Sequence, residues 1–228
     1  MISMTSQEVL VPLFLTLKVA LWATLIATLL GVAMGWILAR TRFAGREILD
    51  AAMTLPMVMP PTVLGYYLLV VLGRGGGIGQ WLERNFGITL IFTWQGAVIA
   101  AAVVAYPLVY KAARAGFEGV EREYEQAARV LGKSEAEVFL RVTLPLAWRG
   151  IVAGAMLAFA RAMGEFGATL MVAGSLPGKT QTLSIAVYEA VQAGRDDIAN
   201  FFVVVTSVVC VVVLVASGRL LRQRSALA

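Results

Sequence analysis

The sequence has no histidine, one cysteine and few charges, and each shortage removes a class of function. Without histidine there is no imidazole to ligate a metal or to move protons near neutral pH. Cys210 cannot form a disulfide within the chain, and in its apolar run a thiol serves as a small packing residue. Charged residues fill 14% of the 228 positions, against roughly a quarter in soluble domains, while 59% are hydrophobic. No paired aspartates stand inside the apolar runs, which removes most intramembrane hydrolytic chemistry. The amino-terminal MISMTSQEVL lacks a basic region and an A-x-A site, so no cleaved signal peptide is expected.

What is present is long apolar blocks, each able to carry a helix across ~30 Å of hydrocarbon at about 1.5 Å per residue. Stretches such as FFVVVTSVVCVVVLVA do not alternate, so transmembrane helices are expected and not the strands of a barrel. The reading is an all-α integral membrane protein, one domain over 1–228, with spans at about 10–38, 51–72, 90–109, 147–172 and 200–220. Basic residues then fall unevenly. One side holds Arg40, Arg42, Arg46, Lys111, Arg114, Arg122, Arg129, Lys133, Arg141, Arg149, Arg219, Arg222 and Arg224; the other holds Arg74, Arg84, Lys179 and Arg195. The richer side faces the cytoplasm, which puts the N-terminus outside and the C-terminus inside. The formal charge of +5 therefore belongs to topology and lipid headgroups, and no nucleic-acid partner is expected. Lys18, in the first span, is expected to snorkel outward.

Two glycine-rich stretches imitate nucleotide sites. AGSLPGKT, residues 173–180, departs from G-x-x-x-x-G-K-[ST] only at Ala173. It lies on the external side with no preceding strand, so it reads as a turn around Pro177-Gly178. GRGGGIG, residues 73–79, fails the G-x-G-x-x-G spacing and lies at a membrane exit. The chain is expected to bind no cofactor of its own.

The cytoplasmic stretch 110–146 is too long for a plain connector. Tyr124, Ala127, Ala128 and Leu131 form one apolar helical stripe, opposite Glu121, Arg122, Glu125 and Arg129, with Glu125 and Arg129 spaced as an i,i+4 pair. Gly132 suits a left-handed helix end, and Ser134-Glu135-Ala136-Glu137 fits a capping box that opens a second short helix at a new angle. Both helices are too polar to cross the membrane. They either lie on headgroups or dock into a cytoplasmic partner.

The spacing Gln126-Ala127-Ala128, Gly132, nine residues, then Val142, Leu144 and Pro145 resembles the E-A-A-x-x-x-G-x9-I-x-L-P signature of ABC importer permeases. Gln126 stands for the glutamate and Val142 for the isoleucine, and Glu125 is the candidate to supply the missing charge. The resemblance implies a type I ABC importer permease fold and a coupling helix over Tyr124–Gly132 that docks on a separate ATPase. It implies a second copy of the chain, an ATPase dimer carrying ATP and Mg, and an external binding protein. ARAMGEFGATLMVAGSLPGKTQTLSIAVYEAV, residues 160–191, resembles the molybdate branch, with tungstate and sulfate/thiosulfate permeases as near relatives.

Candidate path residues follow from charge and proline inside the spans. Arg161 and Glu165, one turn apart, either pair to fix packing or border a path where Arg161 offsets a passing dianion. Pro60, Pro61 and Thr62 lie where prolines free backbone carbonyls that lipid cannot satisfy, so this kink is shielded by protein or lines a wet path. Thr180, Gln181 and Thr182 open a short helix at 181–193 that reads as a wall of an external gate. An ATPase-independent channel or secondary transporter is the alternative from another class. It leaves the bent helix pair unexplained and lacks an internal repeat.

Overall fold

Proline and glycine punctuate the apolar runs, and the chain turns where they stand. The computed structural model describes residues 6–223, all helix and connecting turns, with no strand among the described residues. In chain order the elements are α1 (Ser6–Arg40), α2 (Arg46–Val58), α3 (Pro61–Leu72), α4 (Gly77–Phe86), α5 (Trp94–Glu118) and α6 (Arg122–Val130). Then come α7 (Glu135–Val138), a π-helical segment (Phe139–Thr143), α8 (Leu144–Met163), α9 (Gly167–Ala173), α10 (Leu183–Gln192) and α11 (Asp196–Gln223). The first five residues and Arg224, which entered the topology reading, lie outside the described residues.

α5 is the central helix. Its alanines at 97, 100, 101, 102, 105 and 113 are buried against α1, α3, α8 and α9. Small residues suit this place because lipid tails are as apolar as leucine, so helices associate through close contact. Gly154 of α8 illustrates it: a Cβ there would lie 2.7 Å from the Ala112 Cβ. The outer surface is a jacket of exposed Phe14, Leu21, Leu25, Leu29, Val204, Val208 and Val212, which water would not tolerate and hydrocarbon accepts.

Four helical stretches are long and apolar enough to cross a membrane: Leu10–Arg40, Trp94–Glu118, Glu135–Met163 and Asp196–Val213. The expected span at 51–72 is two helices, α2 and α3, bent by 111° at Met59-Pro60. Proline at Pro60 and Pro61 breaks the ladder outright, where the sequence suggested a kink. The third span does not end at 109, because α5 runs on to Glu118. Its last turns are held by Asp50 of α2, whose Oδ1 accepts from Tyr110 Oη (2.5 Å), Lys111 Nζ (2.9 Å) and Arg114 Nη1 (2.7 Å). The fourth span does not run through 147–172 either. α7 passes through the π segment into α8 without a break, and α8 stops at Met163, three residues before α9. Pro145 lies inside this continuous helix, where it offers no N–H to the turn before it, the turn in which the π segment lies.

The expected helix before the last span is α10. Helix α4 went unread in the sequence because GRGGGIG looks like a plain turn. Lys18 reaches the N-terminal end of α5, where its ammonium lies 3.6 Å from the centroid of the Trp94 ring.

Candidate functional site

α6 is built inside out. Of its nine residues only Glu125 is buried. The apolar stripe faces away from the chain, with Tyr124 55% and Leu131 80% exposed, and Val130, outside the stripe, is 86% exposed beside it. Ala127 is exposed as well and Ala128 half-buried. An amphipathic helix in a self-sufficient fold turns its apolar face to the core; here the carboxylate goes in and the stripe stays out. The expected Glu125–Arg129 pair is therefore not formed. Glu125 instead accepts at Oε1 from Arg40 Nη2 of α1 (2.5 Å) and from the buried Thr143 hydroxyl (2.7 Å). Arg129 turns to Glu135 with two hydrogen bonds of 2.6 and 3.0 Å, and the Glu135 carboxylate holds its guanidinium above the ordinary arginine value.

The end of α6 follows the sequence closely. Gly132 has φ +76°, and a Schellman pair closes the helix: Lys133 N–H to the Ala128 carbonyl (3.2 Å) and Gly132 N–H to the Arg129 carbonyl (2.9 Å). Ser134 and Glu137 then form both halves of the capping box that opens α7. Beyond it Phe139 packs edge-on to Trp36 of α1, ring centroids 5.0 Å apart, and near Phe117 of α5 at 6.2 Å. Of the signature's tail, Val142 and Leu144 are half-buried and Pro145 exposed. Gln126 is exposed beside a cavity of about 270 Å³ bounded by Arg40, Arg122, Arg129 and Glu135.

A second cluster forms where two helices break side by side. α3 and α9 touch at backbone distance: a Cβ on Gly167 would lie 3.1 Å from the Pro61 Cβ and 3.4 Å from the Thr62 amide nitrogen. Pro60, Pro61 and Thr62 are exposed at the start of α3. Just before α9, buried Glu165 has two tasks. Its Oε1 accepts from the Ala168 N–H (2.8 Å), capping α9, and its Oε2 faces Arg161 Nη1 at 2.8 Å. The i,i+4 pair anticipated between these residues is thus formed, and Glu165 also serves the backbone. Arg161 keeps 35% of its side chain exposed, so its other edge is open.

Glu165→Ala removes the cap and the ion partner together. A loss of about 2 kcal/mol is expected, the worth of a charged hydrogen bond plus a cap, with partial recovery in Glu165→Gln. A thermal melt of the detergent-extracted protein measures it, and a midpoint equal to the parent's would show that the carboxylate does not hold the break.

Thr180 and Thr182 are buried, and Gln181 binds Glu189 through its amide (2.9 Å). Thr180 Oγ1 accepts from the Leu176 N–H (3.0 Å) and donates to the Gly174 carbonyl (3.3 Å). The amides of Lys179, Thr180 and Gln181 all point at the Leu176 carbonyl. In a phosphate-cradling loop those donors would be free; here they close a turn between α9 and α10.

The positions that sequence reasoning missed are Arg40 and Thr143. Arg40 had counted only as a topology charge, and Thr143 had no visible signal. A carboxylate one position before the signature does, in hindsight, call for a cation.

Residues 10–226 match the family described as the binding-protein-dependent transport system inner membrane component. The molybdenum transport system permease protein ModB of Escherichia coli strain K12 is 42% identical over 215 residues, which cover 92% of this chain and 94% of ModB. ModB of Haemophilus influenzae is 44% identical over 178 residues, 78% of each chain. Among solved structures, a chain of the inward-facing MetNI methionine ABC transporter (CY5 native crystal form) superposes with a TM-score of 0.75. It covers 96% of this chain and 99% of that one at 16% identity, a likeness of fold alone.

Proposed function

The chain belongs to the binding-protein-dependent transport system inner membrane components, and from that membership we propose that it is the permease subunit of an ATP-driven importer of molybdate. It is a multi-pass protein of the inner membrane with the type I ABC importer permease fold. Tungstate, equal in charge and close in shape, falls under the same proposal. In this proposal two copies line one path as a closed symmetric pair. The N-terminus lies outside and the C-terminus in the cytoplasm.

Each copy holds a cytoplasmic ATPase through α6, with ATP and Mg bound on that partner. Closure of the ATPase pair turns the spans outward-open, and an external binding protein delivers the oxyanion. Hydrolysis then reopens the inward side. Pro60, Pro61, Thr62 and Arg161 border the path in this proposal. Glu165 holds Arg161 in place, and Thr180, Gln181 and Thr182 shape its external end.

One observation carries the coupling half of the proposal: α6 buries its carboxylate and leaves Tyr124, Val130 and Leu131 to a partner that must supply an apolar groove.

The test is uptake by proteoliposomes containing the chain, its ATPase and the binding protein. ATP-dependent uptake of molybdate that excess sulfate does not suppress is the expected result. Equal suppression by sulfate moves the substrate to a broader oxyanion class, and uptake indifferent to ATP overturns the importer reading.

A further inference from the structure

α6 reaches the rest of the chain through one buried side chain, and that side chain joins two spans. We propose that Arg40, Glu125 and Thr143 form the link that carries movement of α6 into the first and fourth spans. The proposal rests on the reading of α6 as the ATPase-docking helix and adds the residues through which its displacement travels.

The geometry is specific. Arg40 is the last residue of α1, and Thr143 is the last residue of the π segment that leads into α8. Both donate to the same oxygen, Glu125 Oε1, at 2.5 and 2.7 Å. The side chains of Arg40 and Glu125 are only 17% and 7% exposed, so water does not screen the pair as it does a surface bridge. The flanks of α6 have no comparable hold: Arg129–Glu135 ties it only to α7.

The π segment gives the movement somewhere to go. A π turn carries one residue more per hydrogen-bonded ring than an α-helix, is rarely retained without a use, and can shift along a helix. Here its first residue, Phe139, is wedged between Trp36 and Phe117, and its last, Thr143, is held by Glu125. A displacement of α6 therefore pulls on the C-terminus of α1 and on the root of α8 together. The three residues are positioning residues, remote from the Arg161–Glu165 break.

Glu125→Gln and Thr143→Val permeases, each assembled with ATPase and binding protein in proteoliposomes, test the link. Two quantities are read: ATPase retained per permease after extraction, and radiolabelled molybdate moved per ATP hydrolysed. Retention at the parental level with transport per ATP down about tenfold is the expected result, within the ordinary range of coupling between sites. The double variant Arg40→Gln/Glu125→Gln should be no worse than Glu125→Gln alone, because a pair acting as a unit is lost only once.

A purely structural role would lower the yield of folded complex and leave transport per ATP unchanged in what remains. Parental transport per ATP in all three variants overturns the proposal. Loss of the ATPase from the variants overturns it too, since the triad would then only build the docking surface. A parental chain that fails to hold its ATPase brings down the importer reading, and the link with it.

Discussion

Leu131→Asp is expected to strip the partner ATPase from the detergent-extracted permease. Leu131 is 80% exposed at the end of α6, beside Val130 at 86% and one turn from Ala127. A carboxylate at the centre of an apolar docking face must be desolvated without a partner, so the loss should match an interface hot spot, about 2 kcal/mol or more. That is roughly thirtyfold in affinity. The fold should be unaffected, because Leu131 touches no core, and the thermal midpoint of the permease alone should stay at the parental value. Glu121→Ala, an exposed change just before α6, is the control and should retain the ATPase. Full retention in Leu131→Asp would sink the assignment of α6 as the docking helix.

Gly65→Val should damage the protein from the opposite direction, through packing inside the membrane. A Cβ on Gly65 would stand 2.8 Å from the Met171 Cβ and 2.9 Å from the Ala168 Cα, so α3 and α9 cannot both keep their places. Overpacking of this kind costs about 3 kcal/mol or more where backbone is the obstacle. It should show as a lowered melting point and little recoverable protein. Gly132→Val makes an instructive pair with it. No atom lies within 4 Å of the position a Cβ would take on Gly132, so nothing collides, and the cost is the left-handed φ of +76° alone. About 1–2 kcal/mol of local strain is expected there, bending the exit from α6 while insertion proceeds normally. Equal yields of Gly65→Val and the parent would show that α3 and α9 can separate without penalty.

The two glycines also mark the boundary of what a reader of the sequence can see. Gly132 was legible, since a stripe of spacing 3.6 ends there and a capping box begins two residues later. Gly65 was not, because its reason is Ala168 and Met171, a hundred positions downstream. Similarly, Arg161 and Glu165 were legible as an i,i+4 pair, while the cap that Glu165 places on α9 required the break at Gly164–Phe166. The full break inside the expected span at 51–72, where the sequence suggested a kink, has the same origin. Hydropathy registers apolar residues whether the chain runs straight or turns by 111°.

By itself the sequence determined the membrane class, the approximate positions of the apolar segments, and the bend between α6 and α7. Each depends on composition or on signals reaching no further than a turn or two of helix. Only the tertiary structure decided that the apolar stripe of α6 faces outward and that Glu125 lies between Arg40, 85 positions away, and Thr143. Periodicity reports that a helix has two faces and is silent on which one is buried. The choice was made by the cation at the end of α1 and the hydroxyl at the root of α8, because a buried carboxylate is tolerated only where such donors meet it.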